Sequence, residues 1–185
     1  MGKLIYFMLV SADGYVADED GDFQWGEPDE EVMRAINDQT RGIGTYLYGR
    51  KIYELMSVWE TDPALAEGSP QAAEFAKIWT AAEKIVYSTT LTEVTTRRTR
   101  IERDFDPAEV QRIKEASAED LTIEGPTLAA HALRHGLVDE VHLLICPMVL
   151  GGGLRMLPKM RMALTLRGER RFGNGMVQLS YAVTR

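Results

Sequence analysis

The stretch from Asp120 to Leu157, DLTIEGPTLAAHALRHGLVDEVHLLICPMVLGGGLRML, constrains the fold more than any other part of the chain. It reads as strand, tight Gly-Pro turn, helix, strand and glycine-rich loop, which is a phosphate-binding βαβ unit in outline. Leu121 to Ile123 is short and apolar, Gly125-Pro126 breaks it, and Leu128, Ala132 and Leu133 recur at helical spacing between Thr127 and His135. A helix starting beside Pro126 exposes unpaired backbone N–H groups and the positive end of its dipole, so an anionic phosphate is the natural ligand there. Most strand-glycine-helix turns bind nothing, however, and the rest of the chain has to decide.

With 185 residues, 45% of them hydrophobic, the chain can bury one good-sized core, and a single globular domain over 1–185 is expected. The apolar run from Leu4 to Val10 suits a buried strand and is too short to span a bilayer, so no targeting or membrane segment is read. The single cysteine, Cys146, excludes a disulfide framework and a cysteine metal site, and points to the cytoplasm. A net charge of −7 argues against nucleic acid as a partner. An anionic ligand therefore needs a local basic patch. Arg50-Lys51 is one; Arg97, Arg98, Arg100 and Arg103 form another, although a solvated face is the ordinary account of Arg100 and Arg103.

Lys3 to Val10 reads as a strand buried on both faces, and Ser11 to Gly14 as a turn in which Asp13 bonds backbone amides. Ala17 to Pro28 is a long ordered loop, and Pro28-Asp29 opens a helix that ends near Gly42. Thr45 to Tyr48 is a strand that runs through Gly49-Arg50-Lys51 into a helix over Ile52 to Met56. Val58 to Pro70 is loop-like, Gln71 to Ala82 helical, and Lys84 to Ser88 a strand ending in Thr89 and Thr90. A helix from Asp106-Pro107 to about Ala118 precedes the opening unit, and Met162 to Arg171 pairs with Met176 to Val183 as a closing hairpin. Alternating strands and helices followed by a hairpin predict a three-layer α/β/α fold. Its central mixed sheet is mostly parallel, with the antiparallel hairpin at the C-terminus. Ligands gather at the strand C-terminal ends of such sheets, and three of those ends carry Gly49-Arg50, Ser88-Thr89-Thr90 and Gly125-Pro126-Thr127. Neither the Rossmann fingerprint nor Walker A is present, so a nucleotide site has to be of another kind.

The sequence resembles the dihydrofolate reductase-like superfamily, and specifically the C-terminal domain of the bifunctional riboflavin-biosynthesis deaminase-reductase. The resemblance covers nearly the whole chain. Its carriers are Ser11 to Ala17 (S-x-D-G-Y-V-A), Gly49 to Glu54 (G-R-K-x-Y-E), Tyr87 to Leu91 (Y-S-T-T-L) and Glu124 to Leu157. It implies an NADPH-binding reductase, often a homodimer, that passes hydride to a pterin-like or pyrimidine-like heterocycle. Under that resemblance Gly49, Arg50 and Lys51 hold phosphate, Gly125, Pro126, Thr127 and Leu128 meet the pyrophosphate, and Ser88 and Thr89 with Arg97 or Arg98 read the 2′-phosphate. Leu9 and Val10, with Val16 and Ala17, line the nicotinamide face. Two positions depart from the family pattern. Glu124 stands for the first glycine of a Gly-Gly pair, and Ile52 for a threonine of the phosphate cradle.

The resemblance also gives an acid. Trp25-Gly26-Glu27-Pro28-Asp29-Glu30 has the family's Trp-x-x-Pro spacing, making Glu30 the substrate-facing acid with a pKa raised by burial. Acidic residues also suit any first helical turn, and Asp29 and Glu31 flank it. Trp25 and Trp59 are candidate substrate contacts, with core packing the simpler account of Trp59. His131 and His135 lie four apart without a third ligand, so a solvated helix face is preferred to zinc and no metal is expected. The expected function is an NADPH-dependent reductase of the riboflavin-pathway 5-amino-6-(5-phosphoribosylamino)uracil reductase kind or the dihydrofolate reductase kind. The alternative is a non-catalytic dinucleotide-binding sensor or assembly protein.

Overall fold

A computed structural model of the protein describes residues 1–184. Its strands are β1 (Leu4–Ser11), β2 (Tyr15–Ala17), β3 (Ile43–Gly49), β4 (Glu83–Tyr87), β5 (Thr99–Glu102), β6 (Asp120–Glu124), β7 (Glu140–Cys146), β8 (Leu154–Arg155), β9 (Ala163–Arg171) and β10 (Val177–Thr184). The helices are α1 (Glu30–Thr40), α2 (Arg50–Met56), α3 (Val58–Thr61), α4 (Pro63–Glu67), α5 (Pro70–Ala81), α6 (Pro107–Ala116) and α7 (Pro126–Arg134). Eight strands form the main sheet in the order β5-β4-β3-β6-β1-β7-β10-β9. The strands from β5 to β7 pair in parallel, and β10 and β9 close the sheet as an antiparallel hairpin.

Strand alternation explains the three layers. Along β1, Leu4, Tyr6 and Val10 pack in the cluster that holds Val110 of α6 and Leu128, Ala129, Ala132 and Leu133 of α7. The intervening Ile5, Phe7 and Leu9 face the other side, where Phe75 and Trp79 of α5 and Val32 and Ala35 of α1 cover the sheet. Both faces of β1 are thus apolar, which is why its sequence lacks polar alternation. The helices start where side chains can cap them: Asp29 accepts from Val32 N (2.9 Å), Ser69 from Ala72 N (3.0 Å) and Asp106 from Ala108 N (2.9 Å). Pro70, Pro107 and Pro126 occupy first-turn positions that need no N–H donor.

Three regions differ from the sequence expectation, the first being the short antiparallel pair of β2 and β8, the latter lying where only a glycine-rich loop is read. The segment read as a loop between Val58 and Pro70 contains α3 and α4, the latter opened by Asp62, which accepts from Ala64 N, and by Pro63. The arginine-rich segment contains β5, Thr99-Arg100-Ile101-Glu102, an edge strand with no residue fully buried. Among the described residues no helix is long and apolar enough to cross a membrane.

Candidate active site

Because β4, β3, β6 and β1 are parallel neighbours, their C-terminal ends lie side by side along one edge of the sheet. Three steps of strand spacing span about 14 Å, the scale of an extended dinucleotide. Ser88 follows β4, Gly49-Arg50-Lys51 follows β3, Gly125 to Leu128 follows β6, and Leu9 lies near the end of β1. The three ends singled out in the sequence are therefore adjacent, with the end of β1 next in line.

At the β4 end, the Ser88 hydroxyl accepts hydrogen bonds from Thr90 N (3.2 Å) and Leu91 N (2.9 Å), which curls Ser88 to Leu91 into a tight loop. Arg50 at the start of α2 reaches this loop. Its Nη1 donates to Thr90 Oγ1 (3.0 Å), while Nε is held by Glu54 Oε1 (2.6 Å). Thr89 and Lys51 are exposed beside them. An arginine that sequence reasoning assigned to a solvated face completes the group: Arg103 Nη1 donates to Ser88 O (2.8 Å) and Leu91 O (2.7 Å). Arg98 is not there. Its carbonyl pairs with Lys84 N and its guanidinium with Glu83, both at the N-terminal start of β4 and so at the opposite edge of the sheet. Arg97 lies at that edge too, bonded to Glu60. The reversal follows from β5, since a strand intervenes between Arg98 and Arg103 and carries the chain from one edge to the other.

At the β6 end, Gly125 has φ +95°, a conformation side chains rarely adopt, and its N–H points at Met8 Sδ (3.3 Å). Pro126 is the first residue of α7, so the first-turn N–H groups of Thr127 and Leu128 lack intrahelical partners. The Leu128 side chain is buried in the core, which leaves its backbone as the part able to meet a ligand. Beside Gly49 an added Cβ would meet nothing within 4 Å, so there is open space at the start of α2.

Around the β1 end the chain folds over itself. Asp13 accepts from Ser11 Oγ (2.7 Å), Leu150 N (3.1 Å) and Gly151 N (2.8 Å), and these bonds hold its carboxyl down at about 2. The amides expected for Asp13 thus belong largely to the glycine-rich loop. There Gly153, with φ +118°, packs so closely on the backbone of Ala17 and Asp18 that no side chain fits. This contact seats β8 against β2, which carries the buried Val16 and Ala17. Leu9 is half-buried and covered by the turn Gln24–Gly26, whose Gly26 packs on its Cδ2.

The candidate substrate residues divide. Trp25 is half-buried against the cluster under α1, its indole N–H donating to Asp22 O (3.0 Å). Trp59 lies edge-on to Phe75 of α5 (4.7 Å), so core packing accounts for it. Glu30 is exposed in the first turn of α1, and the burial expected to raise its pKa is absent. Of its neighbours, Asp29 caps the helix and Glu31 accepts from Gly173 N (3.0 Å). Glu124 at the β6 end is half-buried, and desolvation there pushes its carboxyl up to about 8.

Two grooves lie away from this edge, one of about 630 Å3 between α4, α5 and Arg97–Arg98, the other of about 370 Å3 between α1 and the β9–β10 hairpin. Neither contains a parallel-strand C-terminus or a glycine-helix junction, so the strand-end edge remains the candidate site. His135 Nδ1 lies 2.8 Å from His131 O, and among the described residues no three His, Cys, Asp or Glu side chains gather as a metal site.

A family model described as the RibD C-terminal domain matches residues 2–178. The uncharacterized protein YyaP of Bacillus subtilis (strain 168) is 30% identical over 182 residues, covering 97% of this chain and 94% of its own. Among solved structures, one from Shewanella sp. PV-4 that carries a riboflavin-biosynthesis designation superposes with a TM-score of 0.73 at 19% identity, covering 99% of each chain. The diaminohydroxyphosphoribosylaminopyrimidine deaminase/5-amino-6-(5-phosphoribosylamino)uracil reductase of Thermotoga maritima gives 0.65 at 14% identity, covering 99% of this chain and 57% of that one. These structures show the same dihydrofolate reductase-like fold.

Proposed function

This chain belongs to the RibD C-terminal domain family, a family of reductase domains, and on that premise we propose that it is an NADPH-dependent reductase of a small pyrimidine-like or pterin-like heterocycle. The observation that carries the reading is the alignment of four strand ends into one dinucleotide-length edge, basic and hydroxyl-rich at β4 and apolar at β1. The residues present fit such a cofactor. The left-handed Gly125, the open space beside Gly49 and the free first-turn amides of α7 make room and supply donors for phosphates. Ser88, Thr89, Arg50, Lys51 and Arg103 would hold the adenosine 2′-phosphate end, and Leu9, Val16 and Ala17 the nicotinamide end. When bound, the cofactor supplies a hydride; the protein positions the heterocycle against it and excludes water. Titrating the protein with NADPH while following nicotinamide fluorescence is expected to show saturable binding, stronger than for NADH. Binding of neither would overturn the reductase reading, and binding without oxidation by 5-amino-6-(5-phosphoribosylamino)uracil or dihydrofolate would favour the sensor alternative.

The reading includes a homodimer. On the α7 side of the sheet, Leu143 and Ile145 of β7, Leu179 and Tyr181 of β10, and Leu166 of β9 leave a half-exposed apolar surface, with Leu166 49% exposed. Such a patch on a sheet is an association surface. Light scattering is expected to return twice the 20.8 kDa chain mass for the wild type and the single-chain mass for Leu179→Asp. A wild type that scatters as a single chain would remove the dimer.

A further inference from the structure

Resting on the reductase reading above, we propose that Glu124 is the proton donor of this site, giving its carboxyl proton to the nitrogen of the substrate's C=N bond, in the ring of a dihydropterin or in the ring-opened ribosyl imine of a ribosylaminouracil, while the carbon of that bond receives hydride. Glu124 ends β6 at the centre of the sheet. Ile123 packs in the cluster under α7, so strand alternation turns Glu124 to the opposite face, that of its register partner Tyr48. Over this face α1 and α2 place Met33, Ile36, Ile52 and Met56. A Cβ on Gly125 would lie 3.0 Å from Ile52 Cγ1, so Ile52 sits directly over the turn that carries the glutamate.

The two departures from the family pattern are therefore spatial neighbours. A hydroxyl is replaced by an apolar side chain, and a carboxyl is added beside it. Among the described residues no hydrogen bond or ion pair engages that carboxyl. The groups around it do not supply a counter-charge: on α2, Arg50 is engaged by Glu54 and Thr90, and Tyr53 by Thr96 (3.1 Å). On α1, Asp29 is the cap, and Glu30 and Arg34 are exposed. The phenols of Tyr6, Tyr46 and Tyr48 feel its charge and are themselves driven upward by burial. Apolar surroundings without a cation keep a carboxyl protonated at neutral pH, which is the state a general acid needs.

The step balances. Hydride from the reduced nicotinamide forms the new C–H bond, the C=N π pair passes to nitrogen, and an N–H bond forms as the Glu124 O–H bond breaks. The nicotinamide leaves oxidised, and the carboxylate regains its proton from water.

The test follows the glutamate carboxyls of the full chain by 13C NMR with saturating NADPH. One carboxyl is expected to titrate near pH 8 and to be missing from Glu124→Gln. Every glutamate titrating below about pH 6 would overturn the proposal. Stability gives a second readout. The native state keeps a proton that the unfolded chain loses above 4.5, so the wild type is expected to lose melting temperature relative to Glu124→Gln as pH rises from 4.5 to about 8. With NADPH and 5-amino-6-(5-phosphoribosylamino)uracil, Glu124→Gln is expected to lose about 100-fold in kcat with KM for NADPH unchanged, and the alkaline limb of the wild-type profile disappears. Retention of the wild-type rate and profile overturns the proton role. Absence of NADPH binding by the wild type strikes the reductase reading instead. The carboxyl titration needs no substrate, so NADPH binding together with an ordinary Glu124 titration strikes the proton role alone.

Discussion

Replacing Gly153 with alanine is expected to destabilise the protein by about 3 kcal/mol, lowering its melting temperature by about 6–12 °C, as read by calorimetry. Two costs add. At φ +118° an L side chain is strained, and the new methyl would overlap the Ala17 carbonyl oxygen, with Asp18 Cα only 2.7 Å away. Both obstacles are backbone, so no rotamer change relieves them. Relief requires β8 to draw away from β2, and the Asp13 bonds to Leu150 and Gly151 lie on the same loop. Val16 and Ala17 of β2 move with it, so under the proposed cofactor placement NADPH affinity is expected to fall along with stability. Gly168→Ala is the control: an added Cβ there meets nothing within 4 Å and φ is ordinary, so the change is expected to be within about 0.5 kcal/mol. A Gly153→Ala protein that melts with the wild type would show that the loop is not held against β2.

How far the sequence could be read depends on where the free energy of each element comes from. β1, β6 and α7 draw theirs from burial, and burial leaves a pattern: continuous apolar residues in a two-faced strand, three-to-four spacing in a one-faced helix. β5 is the reverse case. Thr99-Arg100-Ile101-Glu102 is a half-exposed edge strand held by backbone pairing to β4, with Arg100 and Glu102 in a 3.1 Å ion pair, so its composition resembles a solvated segment. Read without this strand, Arg98 falls beside Ser88 and Arg103 on a solvated face; the strand instead carries Arg98 to the opposite edge and brings Arg103 to Ser88 O. The exposure of Glu30 was not legible for a different reason. Helix-start spacing located Glu30 correctly in α1, but exposure is set by what packs over the turn, which is not encoded in that spacing. Glu124 was visible as a departure from the glycine pattern; its direction follows from strand register, and register is a property of the assembled sheet.

The placement of Arg103 gives a test that separates the two ends of the sheet. Arg103→Ala is expected to lower affinity for NADPH by about tenfold while leaving that for NADH nearly unchanged, whereas Arg98→Ala is expected to change neither. The magnitude is kept to the lower end of charge-assisted bonding because Arg103 is exposed and solvent screens its charge. NADH serves as an internal control. Arg103 also braces the loop through Ser88 O and Leu91 O, so a loosened loop would weaken both nucleotides, and only loss of a phosphate contact would weaken NADPH alone. Arg103→Lys refines the point: an ammonium keeps the charge but cannot span two carbonyls and a phosphate with a planar fork, so intermediate discrimination is expected. Equal losses for the two nucleotides would assign Arg103 to bracing. A loss of NADPH preference in Arg98→Ala would contradict the β4–β5 pairing itself, since that pairing sets Arg98 at the far edge, ion-paired to Glu83 at 2.7 Å.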